Sequence, residues 1–333
     1  MILTVTPNPS IDRTLMLGSA LTRGAVHRVQ SVTTEPGGKG VNVARALTLA
    51  GLDAVALLPA AAIDPLVVAL TRAGVPYRCV PVAEPVRTNT AVTEADGTTT
   101  KLNEPGATLD GATLALFTEA VVGAAAQASW VVLSGSLPPG VPQRWYAEVV
   151  ALLADRDCRV AIDTSEGPLS AVADEIDHAA PDLLKPNAEE LAGLVGESAD
   201  VLEKAAADGD PGPVVSAARQ LVERGVGAVL ATLGPAGAVL VDGTGSWLAS
   251  PPPIVPRSTV GAGDAALAGY LRAHAGGAEP PRRLRMAVAY GSAAAALPGS
   301  ALPTPAQIDL DAVRVTTIAP APTQPSPSTK ESP

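Results

Sequence analysis

The alternation of two kinds of segment is the strongest constraint on the fold of this chain. Short runs rich in β-branched residues, such as 2–6 and 159–163, alternate with longer runs rich in Ala and Leu, such as 41–50 and 143–154. Such alternation predicts strand–helix crossovers, and therefore a mainly parallel sheet covered by helices on both faces. Because ligands of these sheets bind beyond the carboxyl ends of the strands, we expect a three-layer α/β domain with its site at that edge.

A two-stranded hairpin interrupts this alternation. Residues 87–103 place polar and β-branched side chains on both sides of Asp96-Gly97, a dipeptide that favours the tight turn of a β-hairpin. Together with residues 12–30, the hairpin is expected to form a small sheet beside the main domain, which we term the lid. The main domain and the lid are expected to occupy residues 1–312.

The C-terminal segment, residues 313–333, differs in composition from the rest of the chain. From about Ala319 onward it consists mostly of Pro, Ser, Thr and Ala, which cannot bury enough apolar surface to order the backbone. We expect a tail that is disordered from about this residue.

The charge and hydropathy of the chain argue against several classes of function. A formal net charge of −10 opposes binding to the nucleic-acid backbone, which requires a positive surface. Two long uncharged runs, 120–143 and 286–307, are interrupted by Pro, Gly and Ser and are not expected to span a membrane. The N-terminus lacks the basic region of a signal peptide. We therefore expect a cytoplasmic protein that binds neither nucleic acid nor membranes.

The first chemical signal is a glycine-rich loop at residues 37–47, which runs into a predicted helix closed by Gly51. Glycine lets backbone N–H groups approach a ligand closely, and Lys39 adds a positive charge. The spacing is not that of a P-loop, because Gly40 follows Lys39 where Ser or Thr is required. The alternative interpretation of this motif alone is an ordinary glycine-rich helix start.

The second signal is another glycine loop, Gly261-Ala262-Gly263-Asp264, which begins an amphipathic helix. The N–H groups of Ala262, Gly263 and Asp264 at a helix N-terminus would bind the negative charge of a phosphoryl group in transfer. A carboxylate in the same turn is able to orient a hydroxyl nucleophile and accept its proton. Alternatively, Asp264 is only an N-cap, which is the commoner use of Asp at a helix start.

In this order, and about 220 residues apart, the two motifs resemble the two signatures of the ribokinase-like, PfkB-type carbohydrate kinases. The resemblance extends from the N-terminus to about residue 310. It implies a three-layer ribokinase-like domain with a mainly parallel sheet and a small β-sheet lid, and it implies ATP and Mg²⁺ as cofactors. It also implies that Asp264 is the catalytic base and that Gly261, Ala262 and Gly263 complete the catalytic loop.

Residues 6–14 resemble the opening of the phosphosugar branch of this family, in which the aspartate, here Asp12, contacts sugar hydroxyls. By the same resemblance, Arg87 at the base of the lid binds the phosphate of the sugar, since a guanidinium pairs well with a terminal phosphate. Without the flanking pattern, Asp12 would be a turn residue and Arg87 a solvated one. The other residues that the resemblance assigns to the sugar phosphate are Gly38, Lys39, Asn42, Lys101 and Ser136.

Residues 185–191 match the KPNxxE segment of the family. By resemblance, Asn187 and Glu190 act through water on Mg²⁺, and Lys185 lies near the nucleotide. The alternative is a plain helix-capping pattern. The other residues expected at the nucleotide are Thr232, Gly234, Gly237, Gly263 and Ser292.

The resemblance implies ATP-dependent phosphorylation of a phosphorylated ketohexose, first of all of fructose 1-phosphate to fructose 1,6-bisphosphate. Tagatose 6-phosphate and fructose 6-phosphate are alternative acceptors, because their kinases share nearly every motif. A sugar-phosphate sensor without turnover is an alternative from another class, although a sensor has no reason to keep Asp264 together with its loop. The partners implied are the phosphosugar, ATP and a second copy of the chain bound through the lid.

Overall fold

A ten-stranded sheet occupies the centre of the protein, and four further strands form a separate small sheet. The computed structural model describes residues 1–318. In chain order the strands are β1 (Ile2–Val5), β2 (Ser10–Leu17), β3 (Val29–Gly37), β4 (Ala54–Pro59), β5 (Tyr77–Val80), β6 (Arg87–Thr93), β7 (Thr99–Asn103), β8 (Trp130–Ser134), β9 (Arg159–Asp163), β10 (Leu183–Leu184), β11 (Ala228–Thr232), β12 (Ala238–Asp242), β13 (Gly245–Ser250) and β14 (Arg314–Thr317).

The large sheet has the strand order β14-β13-β12-β11-β10-β9-β8-β1-β4-β5. In this order, the seven neighbouring strands β11, β10, β9, β8, β1, β4 and β5 run parallel. Strands β12, β13 and β14 extend the β11 edge in antiparallel fashion. The predicted mainly parallel sheet is therefore confirmed. The parallel strands point their carboxyl ends to one edge, and the residues after β1, β8, β9 and β11 meet there.

Helices cover both faces of the large sheet, which confirms the predicted three-layer α/β architecture. They are α1 (Lys39–Leu49), α2 (Pro65–Arg72), α3 (Gly111–Ala125), α4 (Trp145–Leu153), α5 (Glu166–Asp174), α6 (Ala188–Val195), α7 (Ala199–Ala207), α8 (Gly212–Glu223), α9 (Ala262–Ala275) and α10 (Pro280–Ala295). One apolar core lies between the sheet and α3 to α8, and a second lies between the opposite face and α1, α9 and α10. Among residues 1–318, no helix combines the length and apolar character needed to cross a membrane.

Small residues let α9 and α10 pack closely together on the second face. A Cβ atom at Gly269 of α9 would lie 2.5 Å from the carbonyl oxygen of Met286 on α10, so a larger residue does not fit there. Ala265 and Ala268 of α9 are also buried. Because protein interiors are close-packed, this contact fixes the position of α9 and of Asp264 in its first turn.

The lid is a four-stranded sheet in the order β3-β2-β6-β7. Strand β2 pairs antiparallel with β3 and parallel with β6, and β6 and β7 form the predicted hairpin around Asp96 and Gly97. The first lid segment, predicted as residues 12–30, is longer than expected, because β3 continues to Gly37. Most of β3 is exposed, so its extended conformation depends on pairing with β2 rather than on a hydrophobic pattern.

The large sheet also continues beyond residue 312, where the sequence predicted the end of the domain. Strand β14 pairs antiparallel with β13 at the sheet edge. Only Val315 of this strand is half-buried and the rest is exposed, so the sequence carries little hydrophobic signal for it. The predicted disorder from about Ala319 lies outside the described residues.

Candidate active site

The N-terminus of α9 forms the centre of the site. Gly261 adopts a left-handed conformation with φ 77°, which suits glycine, and it turns the chain into the helix. Asp264 lies in the first turn and is buried. The N–H groups of Gly263 and Asp264 donate to no carbonyl group of residues 1–318, as expected of a helix start. The N–H of Ala262, the third donor predicted for the phosphoryl group, instead donates to the carbonyl oxygen of Thr259 at 3.4 Å, which closes the turn before α9. The loop therefore presents free N–H donors beside a buried carboxylate.

The side chain of Asp264 is held by a hydrogen bond from another helix. Nδ2 of Asn42, on α1, donates to Oδ2 of Asp264 at 2.9 Å. Gly261 occupies the N-cap position of α9, which has no side-chain capping bond, so the interpretation of Asp264 as an N-cap is wrong. The two glycine motifs of the sequence therefore meet in space, although 222 residues separate these two side chains.

Asp163, a carboxylate that the sequence analysis did not single out, joins two lysines of the site. It ends strand β9 and its side chain is fully buried. Nζ of Lys39 lies 2.8 Å, and Nζ of Lys185 3.2 Å, from Oδ1 of Asp163. Its Oδ2 has no hydrogen-bond partner in the described part of the chain. The position of Asp163 at the carboxyl end of a parallel strand was the signal that could have identified it.

The surroundings shift the pKa values of the two carboxyl groups in opposite directions. Burial, and next the negative charge of Asp163, raise the pKa of Asp264 to about 6, although Lys39 and the hydrogen bond from Asn42 oppose this shift. Burial also acts to raise the pKa of Asp163, but Lys185 and Lys39 outweigh it and lower this pKa. Asp163 is thus a permanent counter-charge for the lysines, whereas Asp264 titrates near neutrality, as a proton acceptor requires.

On the lid, Asp12 is held in one orientation on strand β2. Its Oδ1 accepts hydrogen bonds from Oγ of Ser10 at 2.8 Å and from Nδ2 of Asn89 at 3.3 Å. A Cβ atom at Gly37, on the neighbouring strand β3, would lie 2.2 Å from Cγ of Asp12. The first glycine of the 37–47 motif therefore makes room for this carboxylate.

Arg87 begins strand β6 and pairs in register with Ser10 of β2. Its Nη1 makes a hydrogen bond of 3.4 Å to the carbonyl oxygen of Glu104, and its Nε is buried with no partner among residues 1–318. Burial lowers the pKa of Arg87, and the negative charge of Asp12 opposes this shift. A half-buried guanidinium with unused donors is suited to bind an anion.

A cavity of about 840 Å³ separates the lid from the loop that precedes α9. Asp12, Asn89 and Lys101 line it from the lid, and residues 256–260 and 298–300 line it from the main domain. Its volume is in the range of small-molecule sites. Of the residues predicted for the sugar, the cavity brings Asp12 and Lys101 close to the loop before α9. Within residues 1–318, its wall does not include Gly38, Lys39, Asn42, Arg87 or Ser136.

Two residues expected to contact the sugar phosphate belong to tightly connected loops. Oγ of Ser136, after strand β8, accepts a hydrogen bond of 3.3 Å from Nδ2 of buried Asn8, which also donates to the carbonyl oxygen of Pro105 at 3.0 Å. Gly38 has φ 104°, and a Cβ atom there would lie 2.9 Å from Cγ2 of Thr6. Asn8 therefore joins the loop after β1 to the segment that follows lid strand β7 and to the loop after β8.

A second cavity, of about 800 Å³, contains part of the set expected at the nucleotide. Asn187, Thr232 and Gly234 line it, whereas its wall as described within residues 1–318 does not include Lys185, Gly237, Gly263 or Ser292. The backbone conformation and the neighbouring strand explain the glycine at position 237 instead. It has φ 102°, and a Cβ atom there would lie 1.9 Å from the carbonyl oxygen of Ala249.

Asn187 and Glu190 form a capping box at the start of α6. Oδ1 of Asn187 accepts from the N–H of Glu190 at 2.7 Å, and Oε2 of Glu190 accepts from the N–H of Asn187 at 2.8 Å. The capping alternative is therefore confirmed for this segment. Glu190 is also close enough to Lys39 to act on its pKa, which Asp163 and, to a smaller degree, Glu190 raise.

Comparison with known proteins identifies the family. The sequence pattern of the pfkB family carbohydrate kinases matches residues 5–307. The chain belongs to this family. It is a pfkB-family kinase, as the two glycine motifs indicated, and the ATP use expected for the family follows from this membership.

Relatives of this kinase cover nearly the whole chain. It is 36% identical over 311 residues to a 1-phosphofructokinase from Rhodobacter capsulatus, which spans 92% of this chain and 94% of the relative. It is 33% identical over 305 residues to the ATP-dependent 6-phosphofructokinase isozyme 2 of Escherichia coli, across 90% of this chain and 94% of the relative. The crystal structure of phosphofructokinase-2 from Escherichia coli in complex with substrates and products matches with a TM-score of 0.81 and 32% identity, covering 92% of this chain and 96% of that chain. The predicted ribokinase-like fold is confirmed.

Two further residues of this pfkB-family kinase were missed at the level of sequence. Nη2 of Arg45, on α1, lies 2.8 Å from Oε2 of Glu35, on lid strand β3. Nη1 of Arg45 also donates to Oδ1 of Asn42 at 3.3 Å. Arg45 lies inside the 37–47 motif, but no feature of the sequence shows that its partner is on the lid.

Proposed function

We propose that this protein transfers the γ-phosphoryl group of ATP to a hydroxyl of a phosphorylated ketohexose, with fructose 1-phosphate as the acceptor and fructose 1,6-bisphosphate as the product. The observation that carries the proposal is the buried carboxylate of Asp264 beside the free N–H groups of α9. Membership of the carbohydrate kinase family supports the reaction. The relatives named 1-phosphofructokinase favour this acceptor.

Asp264 is the catalytic base of the proposed reaction. The acceptor hydroxyl gives its proton to the carboxylate while its oxygen forms a bond to the γ-phosphorus, and the bond from that phosphorus to the bridging oxygen of ADP breaks. The N–H groups of Gly263 and Asp264 stabilise the negative charge of the transferred group. Lys39 and Lys185, both held by Asp163, add positive charge on the same side of the site.

The lid supplies the specificity for a phosphorylated acceptor. Asp12 accepts hydrogen bonds from sugar hydroxyls, and the unused donors of Arg87 bind the terminal phosphate. Lys101 lines the same cavity as Asp12 and adds a second cation. A neutral sugar leaves these cations without a partner, so it is expected to bind more weakly.

The carboxylates of Glu190, at the start of α6, and of Asp163, at the end of β9, are suitable ligands for a hydrated Mg²⁺ ion. One carboxylate oxygen of Glu190 is outside the capping box, and Oδ2 of Asp163 has no hydrogen-bond partner within residues 1–318. Carboxylate oxygens and water are the ligands that Mg²⁺ prefers. Glu190 and Asp163 would hold the ion through water, and Asn187 would orient Glu190. When bound, the ion supplies positive charge to the phosphates of ATP.

A turnover screen tests the proposed acceptor. ATP consumption is measured with fructose 1-phosphate, fructose 6-phosphate, tagatose 6-phosphate and free fructose, and we expect the highest kcat/KM for fructose 1-phosphate. A higher value for another sugar phosphate would change the acceptor but not the reaction. Preference for free fructose would overturn the phosphorylated acceptor, and binding of sugar phosphate without ATP consumption would support the sensor.

The proposed base also predicts how turnover depends on pH. Asp264 accepts a proton only when it is ionised, and burial together with Asp163 raises its pKa to about 6. We therefore expect kcat/KM for the acceptor, which depends on ionisations of the free protein, to rise as the pH increases through about 6 and then to level off. Measurement of kcat/KM between about pH 5 and about pH 8 covers this pKa on both sides. A flat profile over that range would contradict the assignment.

We further propose that two copies of the chain associate through their lids. Val32 and Leu102 lie on the face of the lid opposite to Asp12, as the strand register requires. They are 45% and 59% exposed, and an exposed apolar face of this kind is a suitable surface for a second copy. We expect light scattering to give a dimer for the wild-type protein and a monomer for Leu102→Asp. A monomeric wild-type protein would contradict this proposal.

A further inference from the structure

A continuous series of side-chain contacts connects lid strand β3 with the catalytic carboxylate. Oε2 of Glu35 pairs with Nη2 of Arg45 at 2.8 Å. Nη1 of Arg45 donates to Oδ1 of Asn42 at 3.3 Å and to the carbonyl oxygen of Pro36 at 3.0 Å. Nδ2 of Asn42 then donates to Oδ2 of Asp264 at 2.9 Å. Arg45 itself does not contact Asp264, so any effect on the carboxylate passes through Asn42.

We propose that Arg45 is a positioning residue that holds the amide of Asn42 with its NH₂ group towards Asp264. This proposal rests on the proposed role of Asp264 as the base. The two ends of a primary amide have nearly the same shape, but one is a donor and the other an acceptor. Arg45 has donors only, so it binds Oδ1 of Asn42 and leaves Nδ2 for the carboxylate. A rotated amide would direct Oδ1 at Asp264 and repel it.

Arg45 is itself fixed by the lid. Its side chain is only 14% exposed, and Glu35 and Pro36, which hold it, are both on β3. Oγ of Ser300 donates to the same oxygen of Glu35 at 3.3 Å. Strand β3 pairs in register with β2, where Asp12 lies directly across from Glu35. The orientation of Asn42 is therefore linked to the strands that carry the sugar-binding carboxylate.

The other groups around Asp264 do not replace this contact. Asp163 faces it with a negative charge, and Lys39 and Lys185 face it with positive charges, but each lysine is paired with Asp163. Asn42 alone donates a side-chain hydrogen bond to Asp264 within residues 1–318. If the amide of Asn42 is rotated, Asp264 loses the side-chain hydrogen bond that favours its ionised form, and only the charges of the lysines still act in that direction.

The test compares Arg45→Met with the wild-type protein. We expect kcat to fall about tenfold or more, and the acidic limb of its pH profile to move to higher pH, because loss of a hydrogen-bond donor disfavours the ionised carboxylate. Arg45→Lys is expected to recover part of kcat. In an Asn42→Ala background, Arg45→Met is expected to have little further effect, since the two residues act in series. Arg144→Met, which removes an exposed arginine from a similar ion pair with Glu148, is the matched control and should leave both kcat and the profile unchanged.

Three results separate this inference from the proposed function. An active wild-type protein whose Arg45→Met variant keeps its melting temperature, kcat and pH profile would overturn the positioning role. Additive losses from Asn42→Ala and Arg45→Met would also overturn it. If Arg45→Met does not fold, Glu35→Gln, which keeps the shape of the side chain, is expected to shift the profile in the same direction. Full activity of Asp264→Asn would instead refute the base, and with it the proposed mechanism.

Discussion

Replacement of Asp264 with Asn is expected to lower kcat by about 10²–10⁴, the usual loss when a positioned general base is removed. Asn has nearly the same shape, and its carbonyl oxygen is able to accept the hydrogen bond that Asn42 donates to Asp264 at 2.9 Å. The N–H donors of α9 belong to the backbone and are retained. We therefore expect little change in the Kd of either substrate, measured by calorimetry, while kcat falls.

The stability of this variant provides a separate check. In the folded protein the pKa of Asp264 is raised from its ordinary value of 3.8 to about 6, by burial first and by Asp163 second. The protonated form thus stabilises the fold at low pH, and this stabilisation is lost as the pH rises through about 6. Because Asn carries no charge, the variant should have a higher Tm than the wild-type protein above neutrality. A variant with near-full kcat, or with a lower Tm at every pH, would contradict these expectations.

The parts of the site that could be predicted are those whose residues are consecutive in the sequence. The free N–H groups of Gly263 and Asp264 followed from the local rule that a helix start leaves its first N–H groups without carbonyl partners, whereas the N–H of Ala262, also predicted to be free, is bonded to Thr259. The Asp96-Gly97 turn likewise identified the lid hairpin. Local chemistry determines such features, because the backbone conformation of a few residues is sufficient to form them.

The parts that could not be predicted depend on partners distant in sequence. Asp163 pairs with Lys39 across 124 residues, and its role follows only from the order of the strands. Strand β3 has almost no apolar pattern and extends because β2 is beside it. For Asn187 and Glu190 the sequence allowed both a capping and a metal role, and the structure shows the capping box while one carboxylate oxygen is left for other use. In these examples, partners distant in sequence, rather than the residue type, determine the local structure and the contacts that the side chains make.

Replacement of Arg87 with Ala is expected to raise the KM for the sugar phosphate and to leave kcat nearly unchanged. The buried Nε of Arg87 has no partner among residues 1–318, so its donors are available to a phosphate. Loss of a charge-assisted, bidentate contact costs about 1.5–3 kcal/mol, which corresponds to a rise of about ten- to hundredfold in KM. The phosphate of the acceptor is remote from the group in transfer, so it binds equally in the ground and transition states and affects KM rather than kcat.

Steady-state kinetics with each substrate varied in turn would show whether Arg87 binds the phosphate of the acceptor. The KM for ATP should hardly change, and kcat/KM for free fructose should be the same in Arg87→Ala and wild type, because that sugar has no phosphate to lose. Arg87→Lys should recover only part of the affinity, since a point charge does not reproduce the planar fork of donors. The Tm of Arg87→Ala should change little, because the substitution removes one long hydrogen bond of 3.4 Å to Glu104 but also a buried Nε that has no partner in the described part of the chain. An effect confined to ATP would place Arg87 at the nucleotide and would remove the main argument that the acceptor is already phosphorylated.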